Sequence, residues 1–176
     1  MSSRLLRLSA APATLAVLLL AACSQPSVPA QATRPTISDE QMLASIRAAG
    51  DKEKSAIDVN PLRDPGVAAL QDAAEGDLRT GKYQDAATKL DQALKISPDS
   101  PDLLQDRAEL AIRLKDYGNA EKLAHRSWEL GPRLGPLCAR NWQTIVELRQ
   151  RADDQAGAAS ASKWVSQCHV EGLQRY

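Results

Sequence analysis

The feature that most constrains this chain is a sequence repeat with a period of 34 residues. Residues 70–79 read LQDAAEGDLR and residues 104–113 read LQDRAELAIR, so the second block follows the first by 34 positions. The same spacing relates three further pairs: Tyr83 and Tyr117, Ala86 and Ala120, and Pro98 and Pro132. A fixed period of this length is typical of arrays of helical hairpins, which usually serve as binding surfaces rather than as reaction sites.

The pattern resembles the tetratricopeptide repeat, a helix-turn-helix unit of about 34 residues. The small residues and closing proline of that family fall on Ala74, Ala86, Ala93 and Pro98, and then on Ala108, Ala120 and Pro132. Two features of the family are missing. Its usual glycine in the first helix is replaced by Ala74 and Ala108, and Ser127 replaces the last alanine of the second unit. The resemblance implies an all-α fold.

The spacing predicts three helical hairpins, which is about the minimum that such an array needs for stability. Their helices are expected at about 66–80, 84–96, 101–114, 118–130, 138–151 and 155–169. The third unit is displaced by four residues after the segment 131–136, and with that shift Trp142 aligns with Leu104. We therefore expect a solenoid of three tetratricopeptide-like units over residues 65–170, followed by a tail at 171–176.

A short helix is predicted before the repeats, within a segment of helix and linker at 38–64. Ser38 and Gln41 have the spacing of a capping box, in which each side chain bonds the other residue's backbone amide. An amphipathic helix should follow at about 39–49, with Gly50 as its stop. Its apolar face would carry Met42, Leu43 and Ile46. Either this helix packs on the repeats as an N-terminal cap, or it is loosely attached.

The N-terminus has the pattern of an export signal. Arg4 and Arg7 precede an apolar stretch at about 8–22, which is short for a membrane-spanning helix. The sequence Leu20-Ala-Ala-Cys23 resembles a bacterial lipobox, in which residues 1–22 are removed and Cys23 carries lipid. The alternative is an ordinary signal peptide with a cysteine nearby by chance.

The resemblance to bacterial lipoproteins also implies a location in the cell. An aspartate directly after the lipidated cysteine favours the inner membrane in that class, and Ser24 stands there instead. We therefore expect a lipid anchor in the outer membrane of a Gram-negative envelope, facing the periplasm. Residues 23–37, rich in proline and without periodicity, are predicted to be a disordered tether.

Composition narrows the classes of partner. Removal of Arg4 and Arg7 with the signal peptide changes the formal net charge from 0 to −2. Nucleic-acid binding normally requires a basic excess, so nucleic acid is not expected as a partner. The chain has three Trp, three Tyr and no Phe, so its core must rely on aliphatic residues and alanine.

A ladder of polar residues recurs in the first helix of each predicted hairpin. It consists of Gln71, Glu75 and Arg79; Gln105, Glu109 and Arg113; and Gln143, Glu147 and Arg151. Each set has the spacing i, i+4, i+8, which places it on one stripe of a helix. In the tetratricopeptide family these positions line the concave groove, which implies a polar groove for an extended peptide or a partner helix. The alternative is that each Glu pairs with its own Arg and only keeps the helix soluble.

The ladder also argues against one role known in the family. Members that clamp a C-terminal carboxylate use Lys and Asn at these sites, which Gln71 and Glu75 do not match.

Two cysteines are left once Cys23 is assigned to lipid. Cys138 lies at the start of the helix at 138–151 and Cys168 near the end of the helix at 155–169. Antiparallel helices bring those ends together, and the compartment is oxidising, so a disulfide is predicted. The alternative is two unpaired buried thiols.

No pattern of catalytic, metal or cofactor chemistry occurs in the sequence. His125 and His169 are the only histidines and have no metal-ligand or nucleophile partners at a suitable spacing. Trp128 is assigned to the core, whereas Trp164 could cap the array, pack under residues 170–176 or face a partner; we favour capping.

The predicted function is therefore non-enzymatic. The chain should bind one or more proteins of the cell envelope, as a scaffold in the assembly of envelope, pilus or secretion machinery, without a cofactor or a small-molecule substrate. The alternative is a regulator that binds a cell-wall synthase or hydrolase.

Overall fold

The computed structural model describes residues 37–53 and 63–169 of the chain. Within these ranges there are seven α-helices and no strand: α1 Asp39–Lys52, α2 Pro65–Arg79, α3 Tyr83–Ile96, α4 Pro101–Arg113, α5 Tyr117–Leu130, α6 Pro136–Arg151 and α7 Gln155–Gln167. None of the described helices is long and apolar enough to cross a membrane. The predicted signal peptide, lipid attachment at Cys23, most of the tether, part of the linker and the C-terminal tail lie outside the described residues.

The six repeat helices form three consecutive hairpins, α2–α3, α4–α5 and α6–α7, which confirms the all-α prediction. The first helix of each hairpin opens with a proline: Pro65, Pro101 and Pro136. Proline suits this position because its ring fixes a helical φ and the first helical amides have no partner within the helix. The Asp64 carboxylate caps α2 by accepting from the amides of Gly66 and Val67 at 2.8 and 3.3 Å.

Alanines allow the helices of each hairpin to approach closely. The family-like positions Ala74, Ala86, Ala93, Ala108 and Ala120 are all at most 1% exposed. Ser127, which departs from the family pattern, is fully buried as well. Its hydroxyl donates to the Pro101 carbonyl at 2.7 Å and so ties the second helix of this hairpin to the start of its first.

Helix α1 begins as predicted but ends later. Both hydrogen bonds of the Ser38–Gln41 capping box are present. The prediction that Gly50 ends the helix is wrong, because α1 continues to Lys52. Gly50 is instead a point of close packing, since a Cβ there would lie 2.7 Å from Arg140 Cγ and 3.2 Å from the Pro136 carbonyl oxygen.

Helix α1 packs against the array rather than hanging loosely from it. Its buried face carries Met42, Leu43 and Ile46, none more than 1% exposed. They join one core cluster with residues of the second and third hairpins: Ala111, Ile112, Ala120 and Leu148. Gly50 lies near the start of α6 and Asp39 near its end, so α1 runs antiparallel to α6. It therefore lies along the first helices rather than covering the end of the array before α2.

The last hairpin carries the predicted covalent bridge. Cys138 and Cys168 form a disulfide with a Cα–Cα distance of 5.6 Å, and both residues are buried. The bridge joins the start of α6 to the C-cap of α7, as antiparallel packing requires.

Three tryptophans pack together between α5, α6 and α7. Trp128 is partly buried against the core, as predicted. Trp142 and Trp164 stack with ring centroids 5.1 Å apart and an interplanar angle of 11°. Trp164 also lies edge-on to Trp128 with centroids 5.8 Å apart and is 42% exposed, so it forms the solvent-facing edge of this cluster.

The disulfide should contribute strongly to stability. It closes a loop with a sequence separation of 30 residues, for which loop entropy predicts a contribution of about 3–4 kcal/mol. We expect the Cys138→Ala/Cys168→Ala double variant to lose about that much unfolding free energy in urea. The protein should be exported with Cys23→Ser, so that the two cysteines are the only thiols; titration of two free thiols in the denatured, unreduced protein would contradict the bridge.

Candidate functional site

The candidate site is the groove formed by the first helices α2, α4 and α6, on which the nine ladder residues lie. Each ladder set keeps its predicted place on one helix, but the three sets have different surroundings. The difference arises from α1, which lies along α4 and α6 and contacts ladder residues of the second and third hairpins. The first hairpin's set lies beyond it.

The centre of the groove is a buried carboxylate, Glu109. Arg47 of α1 donates to Glu109 Oε2 at 3.2 Å, and Arg140 Nε of α6 donates to Oε1 at 2.9 Å. The amide of Gln105 donates to the same Oε1 at 3.2 Å and to the Thr144 hydroxyl at 2.9 Å. Glu109 is therefore paired with cations from two other helices, and not with the arginine of its own ladder set.

Arg140 extends this network to the first hairpin. Its Nη2 donates to Asp106 Oδ1 at 3.0 Å, and Gln71 donates to the other Asp106 oxygen at 3.4 Å. Arg63 in turn donates to Gln71 Oε1 at 2.9 Å. Burial of the Arg140 guanidinium disfavours its charge, but Glu109 and Asp106 outweigh that effect and raise the pKa of Arg140. The cation is thus fixed in its charged form.

The third ladder set faces α1. Gln143 Nε2 donates to Glu147 Oε1 at 2.8 Å. Burial of the Glu147 carboxyl raises its pKa, and hydrogen bonds from Gln143 and Ser45 of α1 oppose that rise. Glu147 makes no described ion pair with Arg151, whose guanidinium instead lies 4.1 Å from the Tyr117 ring centroid and 3.8 Å from Asp39.

Arg113 repeats the arrangement of Arg151 one hairpin earlier. Its guanidinium lies 5.3 Å from the Tyr83 ring centroid and forms an ion pair with Glu40. The two acidic residues of the first turn of α1 are therefore each bound by a ladder arginine that also stacks on a tyrosine.

The first ladder set is the open one. Glu75 and Arg79 form only a long pair at 3.9 Å, and their side chains are 69% and 72% exposed. Pairing of Glu with its own Arg, the alternative to a groove function, is thus found in the first hairpin, whereas Glu109 and Glu147 have other partners.

Next to this set is a pocket of about 560 Å³, between α1, α2, α4 and the start of α6. Its apolar lining comes from Ala74, Leu78, Leu90 and Leu110. Charged groups surround this floor, among them Arg79, Glu75 and the Arg140 network. A concave apolar floor with charged walls suits a peptide or helix that carries both kinds of side chain.

The sequence could not show all of these partners. Arg140 aligns with Asp102 in the second unit and Ala68 in the first, so it does not recur and a search for recurring residues misses it. Arg47 lies on a helix outside the repeats. Only the packing of α1 and α6 around α4 identifies both residues as partners of Glu109.

The described residues hold no group of three or more His, Cys, Asp or Glu side chains that could bind a metal ion. His125 packs edge-on to Trp142 with centroids 5.6 Å apart. His169, 61% exposed, has its Nδ1 3.0 Å from a Glu53 oxygen.

Comparison with known proteins agrees with this architecture. Residues 77–133 match the tetratricopeptide repeat family. The array is therefore a tetratricopeptide-like helical repeat fold. The chain is also similar to the globular C-terminal domain of P. aeruginosa LpoP, with 28% identity and a TM-score of 0.56. The match covers 60% of this chain and 99% of that one. No curated protein sequence matches the chain.

The repeat assignment has a direct functional meaning. Tetratricopeptide arrays typically serve as surfaces for protein–protein interaction. A role in protein binding follows for this chain.

Loss of the Glu109 charge should destabilise the array. Glu109→Gln keeps the shape but leaves Arg140 and Arg47 without their shared counter-charge, at a cost of about 2 kcal/mol or more. Glu75→Gln is the matched control, because Glu75 has the same ladder position but is exposed, and it should change stability by less than about 0.5 kcal/mol. Urea unfolding of both variants checks this; equal stabilities would show that the network contributes nothing.

Glu147 predicts a pH dependence of stability. Because its folded-state pKa lies above the ordinary value, its ionisation opposes folding, and stability is lost as the pH rises from the ordinary carboxyl pKa through the raised one. Glu147→Gln does not titrate. Its melting temperature relative to wild type should therefore be higher at pH 7 than at pH 4, as measured by circular dichroism; a difference that does not vary with pH would contradict this.

Proposed function

We propose that this protein is a periplasmic scaffold, attached by lipid to the outer membrane, that binds an envelope protein through the open part of its groove. The observation that carries the proposal is the pocket beside Glu75 and Arg79. There the array keeps an apolar floor and loosely paired charges, whereas α1 covers the equivalent surface on the other hairpins.

The anchoring part of the proposal is supported by the sequence around Cys23. In the sequence, the lipobox-like residues are followed by the predicted tether and then by α1. The similar structure from P. aeruginosa is likewise a C-terminal domain, so in that protein too the globular part follows an N-terminal segment.

A regulator of a cell-wall synthase or hydrolase is the second candidate. The observation that favours it is the small extent of the open groove. The groove is open only between the first and second hairpins, because α1 fills the part between the second and third. A surface of this size engages one partner segment at a time, which suits control of one enzyme better than assembly of several components.

Site-specific photo-crosslinking in living cells tests the groove. A photoreactive amino acid in place of Glu75 should capture a partner protein, because this position faces the pocket. The matched control replaces Glu129, an exposed glutamate of α5 outside the pocket, and should capture none. Adding Arg79→Glu to the Glu75 variant should reduce the yield several-fold. Capture from position 129 alone would place the binding site elsewhere.

The same cells test the anchor. Wild-type protein should fractionate with the outer membrane, and Cys23→Ser protein with the soluble periplasm or with an uncleaved precursor. Equal membrane fractions would contradict lipid attachment at Cys23.

A further inference from the structure

We infer that the pocket is a second, unfilled copy of the slot that holds α1, and that it accepts an amphipathic helix with an acidic first turn from a partner protein. This inference rests on the proposed function, since it names the kind of segment that the groove binds. Its basis is that the residues one repeat unit before those that contact α1 line the pocket.

The apolar contacts of α1 define the floor of its slot. The buried side chains of α1 share a core cluster with Ile112 of α4 and Leu148 of α6. One unit earlier, the repeat alignment places Leu78 at the position of Ile112 and Leu110 at that of Leu148. Both Leu78 and Leu110 line the pocket. The pocket therefore shares two aliphatic floor positions with the slot that α1 fills.

The charged contacts of α1 also have equivalents one repeat unit earlier. In the α1 slot, Arg113 binds Glu40 and Arg151 lies 3.8 Å from Asp39. One unit earlier the corresponding arginines are Arg79 and Arg113, and both line the pocket. The arginines at this edge of the groove thus bind the acidic first turn of α1 with one contact to each acidic residue.

At the other end of the slot, α1 contributes a basic residue. Arg47, seven residues after Glu40 on α1, binds Glu109 at 3.2 Å. The residue equivalent to Glu109 in the first hairpin is Glu75, which lies at the pocket and is exposed. A partner helix in this register would therefore carry acid, aliphatic and basic residues in the order found in α1.

The two slots differ in how strongly their arginines are already engaged. The side chains of Arg113 and Arg151 are 15% and 31% exposed, whereas that of Arg79 is 72% exposed. Arg113 stacks on Tyr83 and Arg151 on Tyr117. The residue one repeat before Tyr83 is Ala49, on α1, so Arg79 has no corresponding tyrosine. Arg79 is thus the available cation of the series, and an incoming carboxylate would compete only with the long pair to Glu75.

A peptide with the α1 sequence is the probe. A fluorescent peptide of residues 37–53 should bind the intact mature protein, whose own α1 fills its slot, with one peptide per protein. Arg79→Glu should weaken binding about tenfold or more, because like charges then meet in the groove. The matched control Arg126→Glu changes an exposed arginine of α5 outside the pocket and should leave the affinity within about twofold.

Charge exchange makes the test specific for the register. A peptide with Glu40→Arg should bind wild-type protein weakly and regain most of its affinity for the Arg79→Glu variant. Circular dichroism of each protein variant checks that the fold is kept. No binding, or loss of affinity without recovery in the exchanged pair, would overturn the inference. Binding that depends on Arg151 and not on Arg79 would mean exchange with α1 and would overturn it too.

The outcome is separable from that of the proposed function. If position 75 captures a partner in cells but the peptide does not bind, the groove function stands and the helical register is wrong. If the peptide binds as expected and position 75 captures nothing, the slot exists and the proposed cellular role fails.

Discussion

The pairing of the buried Glu109 carboxylate with Arg47 and Arg140 is the interaction on which the arrangement of the groove depends. One carboxylate on α4 receives a cation from α1 and a cation from α6, so three helices that are distant in sequence meet at a single buried charge. A buried charge tolerates few alternative geometries, because any shift leaves it without a partner in a poorly solvated place. The position of α1 along the array is therefore specified by electrostatics as well as by its apolar face.

Occupation of the groove by α1 gives the repeats unequal roles. The second and third hairpins bind α1. At one end of α1 the contacts come from arginines that stack on tyrosines, and at the other end from an arginine–glutamate pair. The first hairpin has the same ladder residues without that occupant. The repeats thus present one surface that α1 fills and one that stays open, from nearly the same set of side chains.

The sequence predicted the fold well because periodicity and turn residues act locally. The helices α2 to α7 lie within about two residues of their expected bounds, and the four-residue displacement before α6 correctly placed Cys138 and Cys168 at adjoining helix ends. The prediction for Gly50 was wrong because the sequence alone does not distinguish a glycine that ends a helix from a glycine that lets a neighbouring side chain approach. The ladder was found by recurrence, but its partners Arg140 and Asp106 depend on tertiary packing, and the first of them recurs in neither of the other units.

The disulfide also links the groove to the compartment in which the chain folds. Cys138 lies in the first turn of α6, the helix that forms one wall of the α1 slot and supplies Arg140 to the pocket. Before oxidation, α6 and α7 are held together by packing and by polar contacts such as the Arg149–Asp154 ion pair. After oxidation, the helix that positions α1 is covalently fixed to its hairpin partner. The groove should therefore reach its full rigidity only once the disulfide has formed, which requires an oxidising environment.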